Sequence, residues 1–151
     1  MKRSEKAILM NMCMIYDDNG NVLVEDRIDS SWPGVAFPGG HVEPEEAFSD
    51  AMIREVFEET GLTVSNLQMC GVHHWTEDDD IHYITLLYKT NKFSGKIKSS
   101  DEGEVYWTSL DSLQNLNLAM GMKQMLKVFL EDNFTEHFYY KENGEWIEVL
   151  K

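Results

Sequence analysis

Glu55, Glu58 and Glu59 stand at i, i+3 and i+4, a spacing that on a helix brings three carboxylates onto one face about one turn long. Such a face repels itself unless something positive meets it. Pro44 suits the first helical position, Glu45 and Glu46 suit the positive end of the helix dipole, and Gly61 is a natural stop, so the spacing predicts one helix over 44–60. At about 100° per residue, Ala47 and Ala51 share the side of Glu55 and Glu58, and small residues there let another backbone come close. The acidic face is therefore expected to look inward. Arg54 is the only cation in the helix, and the charge left over calls for a hard divalent metal, which takes oxygen ligands. A solvated acidic face is the plainer alternative.

The charge of the chain is concentrated around this helix. Between Ala7 and Tyr88 there are sixteen Asp and Glu against two cations, Arg27 and Arg54, which accounts for the whole formal charge of −14. A basic-surface partner, whether duplex nucleic acid or anionic membrane, is excluded on that balance. With 151 residues and 42% hydrophobic composition, the expectation is one globular domain over 1–151. Cys13 and Cys70 lie in apolar stretches without CxxC or Cys/His spacing, as buried thiols in a reducing compartment do. Lys2-Arg3 ahead of Ile8-Leu9-Met10 resembles the start of a secretory leader, but Asn11 interrupts the apolar run and no small-residue cleavage site follows. No run approaches the ~18 apolar residues of a membrane span, and a cytoplasmic location is expected.

Around the helix the pattern alternates between strands and turns. A buried strand is expected over 7–16, with a partner strand at Val22-Leu23-Val24 after the Asn19-Gly20 turn. The segment 28–40, with Trp32-Pro33-Gly34 and Phe37-Pro38-Gly39-Gly40, reads as a shaped loop without regular structure. Strands over 67–76 and 81–90 form an expected hairpin, Val105 to Thr108 a short strand, and residues around Asn143-Gly144 a last hairpin. Met122, Met125, Leu126, Phe129 and Leu130 follow a helical stripe best read as core.

From Gly40, Glu46 follows six positions on, then Arg54-Glu55-Val56, Glu58-Glu59 and Gly61-Leu62. This resembles the Nudix box, G-x5-E-x7-R-E-U-x-E-E-x-G-U with U aliphatic, and all nine constrained positions across twenty-three residues match. Arg27 and Pro38-Gly39-Gly40 also fill places common in that family. The resemblance implies an α/β (α+β) Nudix fold, a mixed β-sheet sandwich between α-helices. It implies hydrolysis of a nucleoside diphosphate derivative with Mg²⁺, or Mn²⁺ in its place.

Carried over residue by residue, Glu55, Glu58 and Glu59 are the implied metal ligands, joined by the Gly39 or Gly40 carbonyl. Glu46 and Arg54 are the orienting partners, and either Glu55 or Glu59 is the general base. Glu102, with Glu104 second, is the implied extra carboxylate from a loop before Tyr106-Trp107, an ordinary polar turn being the alternative. Arg27 is placed to meet a substrate phosphate or carbonyl, or else to pair with Asp26 or Asp29. Trp32 is a candidate to stack a base and Gly39 to contact substrate.

Several features narrow the substrate. Members that act on ADP-ribose often have a proline about fifteen residues after the box, and no proline follows Pro44 here. The diadenosine polyphosphate type often has a tyrosine slightly further on, near where the acidic run Glu77 to Asp80 stands here, and the coenzyme A pattern matches in part and fails on spacing. The compact MutT-like group, whose substrate is typically 8-oxo-dGTP, is the nearest resemblance, with Asn115 or Asn117 as an amide that reads the base edge. A nucleotide-sensing binding protein without turnover is the alternative of another class, and the intact box carboxylates weigh against it. His73, His74 and His82 do not suggest zinc, because adjacent strand residues point to opposite faces. A small-molecule nucleotide is the expected partner, and monomer and homodimer stay open.

Overall fold

The computed structural model describes residues 3–151, so Lys2 of the leader-like start lies outside the described residues. The strands are β1 (Ala7–Ile15), β2 (Asn21–Arg27), β3 (Gly34–Ala36), β4 (Gly39–His41), β5 (Thr63–Ser65), β6 (Gln68–Thr76), β7 (His82–Thr90), β8 (Lys92–Ser94), β9 (Gly103–Ser109), β10 (Glu136–Glu142) and β11 (Glu145–Leu150). The helices are α1 (Phe48–Thr60), α2 (Leu110–Leu113) and α3 (Met122–Leu130). A six-stranded mixed sheet runs β11-β10-β6-β7-β1-β4, a three-stranded sheet runs β3-β2-β9, and β5 pairs with β8.

β1 is buried on both faces because its alternating side chains feed two cores. Met12 and Met14 join Phe37 and the α3 residues Met122, Met125 and Phe129, while Cys13 and Ile15 join Met52 and Val56 of α1. β2 divides in the same way, Val22 and Val24 to the first core and Leu23 to the second. The helices α1 and α3 thus serve opposite cores, the sandwich expected from the family resemblance. Among the described residues no helix is long and apolar enough to cross a membrane.

Four local expectations need correction. The Asp17 carboxylate accepts from the Asn19 and Asn21 amides at 2.9 Å and reverses the chain, but β1 and β2 share only the Tyr16–Val22 bridge. They part into different sheets, because both edges of each strand are paired elsewhere, β1 with β7 and β4 and β2 with β3 and β9. Segment 28–40 is not wholly irregular: β3 pairs with β2, and β4 pairs antiparallel with β1. Helix α1 begins at Phe48, not Pro44, since Glu45 has φ of 64°, a left-handed backbone that no helix contains. Leu130, at the end of the α3 stripe, is exposed.

Other expectations hold. Gly61 ends α1 with φ of 79° and donates its N–H to the Phe57 carbonyl, the conformation glycine supplies cheaply. β6 with β7 and β10 with β11 form the two hairpins. Cys13 is buried and Cys70 half-buried, both free.

Candidate active site

The backbone of β4 organises the acidic face of α1. The Gly39 N–H donates to Glu59 Oε2 at 2.9 Å, and the His41 N–H to Glu55 Oε1 at 3.3 Å. Between them the Gly40 N–H donates to Asn11 Oδ1 at 2.9 Å. A Cβ on Gly40 would lie 2.3 Å from the Glu55 carboxyl carbon, so glycine is what lets the carboxylate sit against the strand.

Arg54 braces this arrangement. Its Nε and Nη2 donate to the two Glu46 oxygens at 2.7 and 2.9 Å, the bidentate fork. Its Nη1 reaches Glu55 at 2.9 Å and Glu58 at 3.2 Å, and Nη2 also reaches the His41 carbonyl. Those Arg54 hydrogen bonds hold the Glu46 carboxyl below the usual range. Glu46 lies in the turn before α1 and fastens that turn to the helix through Arg54. Lysine has no fork, so Arg54→Lys is expected to weaken divalent-metal affinity about 10–100-fold, as read by calorimetric titration. Unchanged affinity would remove Arg54 from this role.

Glu25, Glu59 and Glu102 bring one oxygen each within 4.8 Å of one another. Glu25 and Glu59 are 1% and 2% exposed, and both Glu25 oxygens and Glu59 Oε1 have no hydrogen-bond partner among the described residues. Buried carboxylate oxygens without partners are costly unless a proton or cation meets them. Burial pushes the Glu59 carboxyl up to about 10, with the neighbouring Glu102 and Glu25 carboxyls acting the same way. Burial also raises Glu25, opposed by Arg27. The donor set suits a hard divalent cation, which takes several carboxylate oxygens.

Of the implied ligands, Glu59 and Glu102 meet in this cluster, and Glu55 lines the cleft beside it. Glu58 is 56% exposed on its side chain and paired with Arg54. Glu104 is exposed and opposite Asp26 in the β2–β9 register. Glu25 was not among the sequence candidates, although its signal exists: it follows Leu23 by two residues, which places an acid on an inward strand face.

Glu55 and Glu102 line a cleft of about 820 Å³. Arg27 lines it, 3.9 Å from Glu25 and 3.8 Å from Asp29, with its guanidinium 5.3 Å from the Trp32 ring centre. Trp32 is tethered by its indole N–H to the Met120 carbonyl at 2.9 Å. The structure does not bring Asn117 to the cleft: its carbonyl accepts from the Val35 N–H, and the residue is exposed, as is Asn115. Asn11 lines the cleft instead, 3% exposed, with an Nδ2 that has no partner among the described residues.

The histidines divide between faces as expected. His74 lies 3.4 Å from His82, while His73 turns the other way to His137. Burial pushes His73 down to about 3 and also lowers His137. A base depressed in the fold contributes stability that is complete above its unfolded value of 6.5 and is lost as pH falls towards about 3. Urea midpoints are expected to fall over that window, and His73→Phe to flatten part of the slope. An identical slope in the variant would refute this assignment.

The Nudix domain family model matches residues 10–129, and with the fold and box geometry described above the chain belongs to the Nudix hydrolase family. Nudix hydrolases generally use divalent metals such as Mg²⁺. The chain is 27% identical over 124 residues to the uncharacterized Nudix hydrolase YvcI of Bacillus subtilis, covering 79% of this chain and 77% of that one. It is 30% identical over 105 residues to an ADP-ribose pyrophosphatase of Methanocaldococcus jannaschii, covering 68% of this chain and 62% of that one. It is also similar to the crystal structure of a MutT protein from Bacillus halodurans, with 25% identity, a TM-score of 0.78, and coverage of 95% and 97%.

Proposed function

We propose that the chain is a Mg²⁺-dependent nucleoside triphosphate pyrophosphohydrolase of the 8-oxo-dGTP diphosphatase type, releasing monophosphate and pyrophosphate, and that it works in the cytoplasm. The observation that carries this reading is the buried Glu25 and Glu59 oxygens without a hydrogen-bond partner among the described residues, beside Glu102, which lines a cleft with Arg27. Carboxylates facing a polyphosphate repel it, so the site is usable only with a cation between them.

Glu25, Glu59 and Glu102 would hold the metal, with the Gly40 carbonyl as a further proposed ligand and Glu58 at the outer rim. The bound ion supplies charge neutralisation and polarises phosphoryl oxygens and water. Arg27 orients a phosphate, its guanidinium steadied by the Trp32 carbonyl at 3.3 Å. Glu55, held by Arg54 and the His41 N–H at the cleft wall, accepts the proton of the attacking water. Trp32 and Gly39 contact substrate, and Asn11, not Asn117, is the amide that lines the cleft, its Oδ1 holding the Gly40 N–H.

A second reading, ADP-ribose hydrolysis, is favoured by the Methanocaldococcus relative, against which stands the absent proline after the box. One substrate panel with Mg²⁺ separates them. The proposal expects kcat/KM for 8-oxo-dGTP at least about tenfold above dGTP, the 1.4 kcal/mol discrimination that one good hydrogen bond supplies. Equal values for the two would overturn the oxidised-purine assignment, preferred turnover of ADP-ribose would establish the second reading, and no turnover of any member would leave a binding protein.

A further inference from the structure

The end of the cleft away from the carboxylates is built by residues that the hydrolytic chemistry does not use. One row of paired residues crosses the large sheet: His41 with Met10, Met10 with Thr85, Thr85 with His73, and His73 with His137. Three interstrand steps from β4 to β6 amount to about 14 Å at about 4.8 Å each, a span that an extended nucleotide bridges. At the far end Trp75, Tyr83, Tyr139 and Trp146 line the cleft with His73. The Trp75 and Tyr83 rings stack at 4.9 Å and 10°. Tyr139 and Trp146 belong to the β10–β11 hairpin, which lies beyond the residues matched to the family.

The hydrogen bonds at this end determine where the protons sit. His73 Nδ1 lies 3.1 Å from the His137 carbonyl, and a carbonyl only accepts. His73 therefore carries its proton on Nδ1. The same atom lies 2.9 Å from His137 Nδ1, which must then offer a lone pair. His137 accordingly carries its proton on Nε2 and donates it to Glu148 Oε1 at 3.1 Å. The three bonds agree on one assignment, and burial keeps both rings neutral. It leaves His73 Nε2 as a bare lone pair with no bond to any described residue, on a ring that faces the cleft.

We propose that His73 Nε2 is a specificity-determining acceptor in an aromatic slot for a nucleobase that presents an N–H donor, its tautomer held by His137 and by Glu148 of the C-terminal hairpin. This rests on the reading of the chain as a nucleotide hydrolase, but concerns recognition of the ring and not the hydrolytic step. A ring whose N–H is replaced by N–CH₃ loses the bond, whereas contact with the aromatic walls is retained.

The test measures binding of nucleoside monophosphates to the full chain by quenching of tryptophan fluorescence, in pairs that differ by methylation: GMP and 1-methyl-GMP, UMP and 3-methyl-UMP, AMP and N6,N6-dimethyl-AMP. Wild type is expected to bind at least one parent about tenfold more tightly than its methylated partner, the worth of one hydrogen bond. His73→Phe keeps a ring and removes the acceptor, and is expected to abolish that difference. His73→Gln, with a carbonyl oxygen, is expected to restore part of it. Long-range ¹⁵N spectra of the wild-type imidazoles are expected to show one histidine in the Nδ1–H tautomer near neutral pH, missing in His73→Phe. No discrimination in any pair, discrimination that survives His73→Phe, or a proton on His73 Nε2 each overturns the proposal; if the variants fail to fold, the methylated pairs and the spectra of wild type still decide. Hydrolysis of these bases' triphosphates without methyl discrimination refutes this inference alone, and discrimination without hydrolysis refutes the enzyme reading alone.

Discussion

Glu59→Gln is expected to lower kcat/KM on the preferred nucleotide by about 10³-fold, on the order of 4 kcal/mol of barrier, and to make the metal-free protein more stable. Both effects come from one carboxyl group that is 2% exposed, beside Glu25 and Glu102, with an oxygen that has no hydrogen-bond partner among the described residues. Its pKa is raised to about 10 from 4.5, so the fold retains a proton that the unfolded chain releases. The stability this contributes is complete below 4.5 and is lost as pH rises towards about 10. Glutamine has no charge to bury, so the variant's melting temperature is expected to vary less between about pH 5 and about pH 9. Mg²⁺ is expected to raise the melting temperature of wild type more than that of the variant. Thermal scans with and without Mg²⁺, beside initial rates, measure all of this. A variant with full activity, or with the wild-type response to Mg²⁺, would remove Glu59 from the metal site.

Gly39→Ala is expected to cost about 3 kcal/mol, the upper range for overpacking, and to lower the melting temperature by about 10 °C. A Cβ there would lie 2.0 Å from the Asn11 carbonyl oxygen and 2.9 Å from the Met12 Cα, backbone atoms that no rotamer change can move aside. β4 would have to leave β1, and the Gly39 and Gly40 N–H bonds to Glu59 and Asn11 would go with it. Activity is expected to fall together with stability. Gly20→Ala is the control: φ of 79° strains alanine, but nothing lies within 4 Å, and about 1 kcal/mol is expected. Equal melting temperatures for the two variants would show that β4 is free to shift.

The box was legible because its residues act on one another within a single stretch of chain. Glu46 and Arg54 are eight apart and form a bidentate pair, and the stop at Gly61 is a local conformational demand. The start of α1 was misplaced because Pro44, Glu45 and Glu46 have the chemistry of a helix start. Glu46 is instead held by Arg54, and the chain takes a left-handed step at Glu45 to allow it. Leu130 kept the α3 period but lies at the end of the helix, where it is exposed.

The box residues in the sequence pointed to the family, which the family model bears out, and to the helix that carries the carboxylates, since an i, i+3, i+4 set of acids with one arginine is a local fact of charge and geometry. Only the tertiary structure brings Glu25, Glu59 and Glu102 together. Glu25 comes from β2, thirty-four residues before Glu59, and Glu102 from the turn before β9, forty-three after it, while Glu58, inside the box, is exposed and paired with Arg54. The same holds for the far end of the cleft, where a proton is placed on one nitrogen of His73 by a carbonyl sixty-four residues away. Burial and sheet order create these encounters, and neither is a property of any short stretch of sequence.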